Sequence, residues 1–189
     1  MLFQLVQVIY WIALSMWFGG ALFLGVAAPV IHRTVMENRP ILPHVLSVNL
    51  ENKHATLLSG TIISNLLAAI SRIEVVCAAI LLVVIAAQWF LIDLSDSWVR
   101  TSAFLRSGLY LGAAAVVIYE WSFAWPRILQ FRQAYIDNAD DPEKANPASE
   151  QFDKLQRESE ILLQVLIALL LGIILLSGSL TTHHTFVSV

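Results

Sequence analysis

The stretch WFGGALFLGVAAPVIHR, Trp17–Arg33, closes an apolar segment that begins near Val8, and it decides what class of protein this is. No charged residue precedes Arg33 in the chain. About 20 mainly apolar residues are enough for a helix to cross the hydrocarbon core of a bilayer. We therefore expect a membrane span that ends near Ile31, rather than a signal peptide, which would carry a basic leading region.

The composition of the whole chain also indicates a protein that lies in a lipid bilayer. Of 189 residues only 13% are charged, and the mean hydropathy is +0.72. Soluble domains carry about 25% charged residues. The formal net charge of -3 supplies no basic surface for nucleic acid, and a single cysteine, Cys77, excludes an internal disulfide. These observations predict an integral membrane protein whose first partner is the lipid bilayer.

Four segments are apolar enough to span a membrane, at residues of about 8–31, 73–92, 108–125 and 161–180. Backbone polar groups have no water to bind in lipid, so each segment should be a helix. We expect one all-α membrane domain over residues 1–189, in which four transmembrane helices form a bundle. The connecting stretches of about 32–72 and 126–160 are polar, and they should form helical extensions outside the spans.

Basic residues cluster in those two connecting stretches, which predicts the orientation of the chain. The two clusters contain Arg33, Arg39, Lys53 and Arg72, then Arg127, Arg132, Lys144, Lys154 and Arg157. The opposite side holds only Arg100 and Arg106. Positive charge stays in the cytoplasm, so both stretches should be cytoplasmic loops of a plasma or inner membrane protein, with both termini outside.

The first cytoplasmic stretch carries apolar residues at helical spacing over Leu57–Glu74, which predicts a helix lying on or entering the inner face of the membrane. In the second stretch, Asn146 and Pro147 form a favourable N-cap and first-turn pair. A helix should begin there and continue into the fourth span, with Phe152, Leu155 and Leu162 on one face.

The first and third spans share an ending. Pro29 should mark the exit of the first span, and Pro126 should bend the extension of the third. Each is followed by a cytoplasmic stretch and then by an Arg–Glu pattern, at Arg72–Glu74 and Arg157–Glu160. This similarity predicts a two-fold repeat of helix pairs, an arrangement that some transporters use.

Small residues line one side of the first span: Gly19, Gly20, Ala21, Gly25 and, near the exit, Pro29. Ala21 and Gly25 form a small-xxx-small pair, which lets helices approach closely in a membrane. The simplest interpretation is packing within the chain. A dimer interface and a ligand groove are the alternatives.

Glu120 is the candidate ionisable site, because an acidic group inside a span is costly and tends to face a partner in the bundle. Arg72, Arg127 or Arg33 could reach it. The sequence leaves open a proton or cation site and a structural pair. Glu74 and Arg72 should otherwise belong to a solvated rim at the inner helix ends, with a gate or docking surface as the alternative.

Histidine positions argue against a bound cofactor or metal. The histidines are His32, His44, His54, His183 and His184, and none lies well inside a span. Their spacing fits no zinc signature, and paired axial ligands for a haem within the bundle are absent. We expect no cofactor and no metal site.

Three stretches resemble the transmembrane-protein-205-like family: WFGGALFLGVAAPVI (Trp17–Ile31), SGTIISNLLAAISRIE (Ser59–Glu74) and NPASEQFDKLQRESEILLQV (Asn146–Val165). The family pattern often has histidine where Gln156 stands here. The resemblance implies a small four-span membrane protein without known enzymatic activity.

Three functional classes follow from these patterns. The first is a non-enzymatic accessory subunit or scaffold, as a homo-oligomer or within a larger membrane complex. The second is a permease for a small solute, protons or metal ions that uses Glu120. The third, a haem or quinone redox subunit, is disfavoured by the histidine positions.

Overall fold

A computed structural model describes residues 2–38, 54–91, 96–138 and 141–186, and all its regular elements are helices. They are α1 (Leu2–Asn38), α2 (His54–Leu91), α3 (Ser97–Tyr119), a π-helical turn (Glu120–Ala124), α4 (Trp125–Asp137) and α5 (Pro142–Phe186). A helix satisfies its backbone polar groups internally, which an apolar solvent demands.

Four helical stretches are long and apolar enough to cross a membrane: Phe3–Asn38, Leu58–Phe90, Ser97–Asp137 and Glu143–Gly178. The predicted all-α fold with four spans is therefore confirmed, and it is compatible with a multi-pass membrane protein. Each helix extends beyond its predicted span, in keeping with the predicted helical extensions.

The helix predicted over Leu57–Glu74 is not a separate surface element but the first half of α2. No proline or glycine stands between Thr61 and Leu91 to interrupt the helix. Two of its regularly spaced apolar residues, Ile62 and Ile73, are 39% and 45% exposed. Small polar side chains, Ser59 and Ser64, are buried instead.

Helix α1 continues past Pro29 to Asn38, so this proline does not end the helix, and its place at the exit of the first span stays a prediction. Proline removes only the hydrogen bond from its own nitrogen, here to the Gly25 carbonyl, and membrane helices tolerate this loss. At the end of α1, the Asn38 side-chain amide donates to the Thr34 carbonyl at 2.8 Å.

Pro126 does coincide with a change in helix geometry, as predicted. The π-helical turn ends at Ala124, and the Trp125 N–H bonds the Glu120 carbonyl. Pro126 then occupies the first turn of α4, where no helical bond from its nitrogen is required.

Helix α5 begins five residues earlier than predicted. Asp141 precedes Pro142 and accepts a hydrogen bond from the Glu143 N–H at 3.2 Å, so it supplies the cap expected of Asn146. A hydrogen bond from the Lys144 side chain holds the pKa of Asp141 below its ordinary value of 3.8. Pro147 lies inside the helix.

The chain forms two compact units, and the long helices contribute to both. The first unit comprises residues 1–22, 72–117 and 164–189, and the second comprises 23–71 and 118–163. This division cuts each predicted helix pair, so the units are not the two halves of the predicted repeat.

Buried residues recur along the helices with alternating spacings of four and three. In α1 they are Tyr10, Leu14, Trp17, Ala21 and Leu24; in α2, Ile70, Glu74, Cys77, Leu81, Val84 and Gln88; in α3, Val99, Ala103, Arg106, Tyr110, Ala113 and Val117. This is the seven-residue pattern of helix bundles. Large apolar side chains are exposed between the buried positions, among them Val26, Val83 and Leu175 at 60–70%. Such a surface suits lipid.

In the second unit, two small clusters join α4 to α5. Ile128 packs with Phe152 and Leu155, and Tyr135 packs with Ala145 and Ala148. Phe152 and Leu155 thus share a buried face as predicted, whereas Leu162 is half-buried.

Replacement of Gly60 tests the packing of the second unit. A Cβ at Gly60 would lie 3.5 Å from the Phe152 Cζ, so the remainder of a leucine must displace a buried ring. We expect Gly60→Leu to lower the free energy of unfolding by roughly 1–3 kcal/mol, measured by detergent denaturation. Gly19→Leu is the matched control, because nothing lies within 4 Å of its Cβ position. Equal stability of the two variants would contradict this packing.

Candidate functional site

Glu74 lies in the buried stripe of α2 and not at a solvated rim. Its side chain belongs to a residue only 2% exposed, and its Oε1 has no hydrogen-bond partner. Arg72, two residues earlier, points to a different side of the helix and is exposed. The sequence identified Glu74 as a candidate, but it predicted a paired or hydrated position, which the burial contradicts.

A groove of about 410 Å³ runs beside this position between α1 and α2. Its walls are mainly apolar, formed by Ile9, Ile12, Met16, Ile73, Val76 and Ile80, with Arg72 and Cys77 also contributing. Such a lining suits hydrocarbon better than a polar solute.

A second group of polar side chains lies elsewhere in the first unit, and we call it the polar layer: the half-buried Gln7 and the buried Tyr10, Gln88, Arg106 and Ser177. All four long helices contribute to it. The Gln88 Nε2 donates to the Gln7 Oε1 at 3.1 Å. Gln7 and Tyr10 are three residues apart, so they share one face of α1.

Arg106 contacts Tyr10 within the polar layer. Its guanidinium carbon lies 5.3 Å from the centroid of the Tyr10 ring. The Ser177 Oγ donates to the Ile173 carbonyl at 2.6 Å and accepts from the Tyr10 hydroxyl at 2.5 Å. The aromatic ring thus faces a cation, a favourable interaction that is strengthened by desolvation.

Arg106 is buried within α3, just before the predicted start of the third span near residue 108, while its predicted place on the outer side stays a prediction. Helix α3 begins at Ser97, so Arg106 lies nine residues inside it, ~14 Å along the axis. The residue is 1% exposed. The hydropathy pattern began the third span at Gly108 because Arg100 and Arg106 interrupt the preceding apolar run. A detectable signal was the seven-residue spacing from Val99 to Arg106 and on to Ala113.

Among the residues that the structure describes, no acidic side chain compensates the charge of Arg106. Its Nε and Nη2 have no hydrogen-bond partner. In the described part of the first unit, the acidic side chains are Glu74 and Asp96. Asp96 is exposed, and its Oδ1 accepts from the Trp98 N–H. Neither of the ion pairs given for the described residues includes Arg106.

Glu120 belongs to the second unit, where it opens the π-helical turn and is half-buried. Such turns are frequent at functional sites. Of its predicted partners within that unit, Arg127 is exposed, and Arg33 pairs with Glu37 at 2.8 Å. Arg72 and Glu74 belong to the first unit.

The small residues of α1 do not share one buried face. Ala21 is fully buried and Gly20 is half-buried, whereas Gly19, Gly25 and Pro29 are exposed. Packing within the chain is therefore a role for Ala21, and the exposed residues are open to lipid or to another helix.

Other candidate ligands add little to these sites. The His32 Nδ1 lies 3.2 Å from the Ser59 Oγ, while His44 and the side chains of His54, His183 and His184 lie outside the described residues. In the ranges that the structure covers, no three His, Cys, Asp or Glu side chains are grouped to hold a metal ion.

Comparison of the chain with protein-family models, with curated proteins and with solved structures gave no match. The resemblance to the transmembrane-protein-205-like family therefore stays a prediction from the three quoted stretches.

A double-mutant cycle on Tyr10→Phe and Ser177→Ala tests the polar layer. We expect a coupling of roughly 0.6–1.7 kcal/mol in the free energy of unfolding, the range of hydrogen bonds between membrane helices. The control cycle pairs Tyr10→Phe with Thr101→Ala, whose exposed hydroxyl bonds the Ser97 carbonyl of its own helix. That cycle should be additive. Additivity in both cycles would show that the Tyr10–Ser177 contact contributes nothing.

Proposed function

We propose that this protein is a non-enzymatic transport element for a small ion or solute, with Glu74 as its ionisable coupling group. The burial of Glu74 carries the proposal: a membrane-length helix keeps a carboxyl group 2% exposed, with one oxygen lacking a hydrogen-bond partner. Ionisable residues at such positions in membrane proteins commonly mark ion pathways and proton relays.

Burial of Glu74 indicates a function because an uncompensated buried charge costs several kcal/mol of stability. Leucine or alanine would fill this place in the stripe without that cost, as Leu81 does one heptad later. Transport would explain this costly carboxyl group, because Glu74 could bind a proton or a cation in one state of the protein and release it in another. Glu120, the coupling group proposed from the sequence, is less buried and becomes the second ionisable group of the proposal.

An accessory role is the second candidate, and the exposed face of α1 supports it. Gly19 and Gly25 interrupt a row of exposed apolar side chains that includes Phe23 and Val26. Small residues on a lipid-facing helix surface allow close approach of another transmembrane helix. A homo-oligomer or a larger membrane complex would use this face.

The proposed setting is a plasma or inner membrane, with both termini outside and the basic segments in the cytoplasm. Membership of the transmembrane-protein-205-like family is part of the same proposal, and it rests on the quoted stretches alone.

Flux through proteoliposomes tests the transport proposal. We expect a potassium diffusion potential to drive proton uptake, reported by an internal pH-sensitive dye. Glu74→Gln should lower this flux at least tenfold, because a neutral amide cannot exchange a proton. Glu150→Gln, at an exposed position of α5, is the matched control and should leave the flux unchanged. Glu120→Gln measures the share of the second group.

Absence of flux through the wild-type protein, with a panel of small cations and anions included, would contradict transport. So would flux that persists unchanged in Glu74→Gln. Either result would leave the accessory role as the functional candidate.

The orientation has its own test. In a Cys77→Ala background, single cysteines at Ser97 and Glu150, both exposed, should lie on opposite sides of the membrane. We expect an impermeant thiol reagent to label Ser97→Cys on intact cells and Glu150→Cys only after permeabilisation. The reverse labelling pattern would contradict the charge-based orientation.

A further inference from the structure

We propose that Arg106 binds a carboxylate group, so that the polar layer is an anion site inside the first unit. The proposal does not rest on transport, because binding can be measured at equilibrium in a protein that moves nothing. It begins from two unsatisfied donors on a side chain that is 1% exposed.

The two donors are on the same edge of the guanidinium group. Nε and Nη2 of an arginine direct their N–H bonds nearly parallel, which is the fork that a carboxylate meets with its two oxygens. The guanidinium carbon lies 5.3 Å from the centroid of the Tyr10 ring, which accounts for one contact of the group. The edge that carries Nε and Nη2 has no hydrogen-bond partner and is therefore a two-point donor site.

Charge points to the same ligand class. Arg106 has no ion pair among the described residues, and Asp96 lies ten residues earlier, directly before α3 begins. Glu74 is separated from Gln88 of the polar layer by 14 residues of α2, ~21 Å. A bound monoanion would neutralise the buried cation, which neither acidic group does in this arrangement.

The number of donors favours a carboxylate over a phosphate. Two N–H groups match two oxygens and one negative charge, whereas a phosphate would bring further oxygens and charge into apolar surroundings. Tyr10 and Ser177 hold each other by a hydrogen bond, so they fix the ring beneath the guanidinium. Their proposed role is to position Arg106.

Such a carboxylate has two sources: a small organic acid from water or a fatty acid from the bilayer. The depth of Arg106, ~14 Å from the start of α3, is within reach of either source. The chain length of the acid distinguishes them.

The test is a calorimetric titration of the purified full chain in neutral detergent, with propanoate and decanoate as probes and inorganic phosphate as the comparison. We expect one saturable carboxylate site per chain and weaker binding of phosphate. Propanoate binding would identify a water-borne acid, and binding of decanoate alone would identify an acid from the membrane phase. Both support the site.

Variants assign the binding to Arg106. Arg106→Gln should weaken it at least tenfold, and Arg106→Lys should weaken it less, because an ammonium group keeps the charge but loses the fork. Arg100→Gln, exposed on the same helix, is the control and should bind as the wild type does. Tyr10→Phe keeps the ring and should retain most of the affinity.

Circular dichroism establishes folding before each titration, and Arg106→Lys still tests the site if Arg106→Gln does not fold. Unchanged binding in a folded Arg106 variant would overturn the proposal. Absence of saturable carboxylate binding to the folded wild type would overturn it too, and would assign the open edge of Arg106 to buried water.

Discussion

A polar group that leaves water must find another partner, and in an apolar solvent the partner must come from the protein itself or from a ligand. The backbone of this chain meets the demand by remaining helical even past Pro29 and Pro147. Side chains meet it by segregation. Apolar side chains such as Val83 and Leu175 are exposed, while Gln88, Arg106 and Ser177 are at most 1% exposed.

The same demand separates structural polar groups from candidate functional ones. Tyr10 and Ser177 satisfy each other, and the Tyr110 hydroxyl donates to the Ala78 carbonyl at 2.6 Å. Among the described residues of the first unit, Trp17, Gln88, Glu74 and Arg106 keep buried atoms without hydrogen-bond partners, and of these Glu74 and Arg106 are ionisable. These two residues carry opposite charges within one unit, yet the structure does not pair them. Each is therefore available to a proton, an ion or a ligand, which connects the fold to the proposed activities.

Hydropathy was sufficient to predict the four spans, because a bilayer imposes a length and a composition on any helix that crosses it. It could not predict the helix bounds. Asn146–Pro147 and Asp141–Pro142 are equivalent N-cap signals for the start of a helix. Which of them begins α5 depends on contacts made by the rest of the chain, which neither pair encodes. Pro29 illustrates the same limit, since a proline weakens one hydrogen bond but does not end a helix by itself.

The buried polar residues were harder to predict for a different reason. In a soluble helix, an apolar stripe identifies the packed face, but in α2 apolar residues occupy both the packed and the exposed faces. Composition therefore says little about which face is buried. The polar residues carry the periodicity, since Glu74 and Gln88 are two heptads apart with Leu81 between them. The burial of Arg106 follows from its heptad position between Val99 and Ala113, which its charge alone does not reveal.

The central claim is that Glu74 and Arg106 face the interior of a bundle whose exterior meets lipid. Spin labels placed singly along α2 in lipid nanodiscs test it most directly, through their collision rates with oxygen and with a polar nickel complex. We predict high oxygen contact at Val76 and Val83, which are 57% and 69% exposed, and low contact with both reagents at Glu74 and Leu81. A flat oxygen profile, or free access of the nickel complex along the whole helix, would contradict the buried stripe and the membrane setting together.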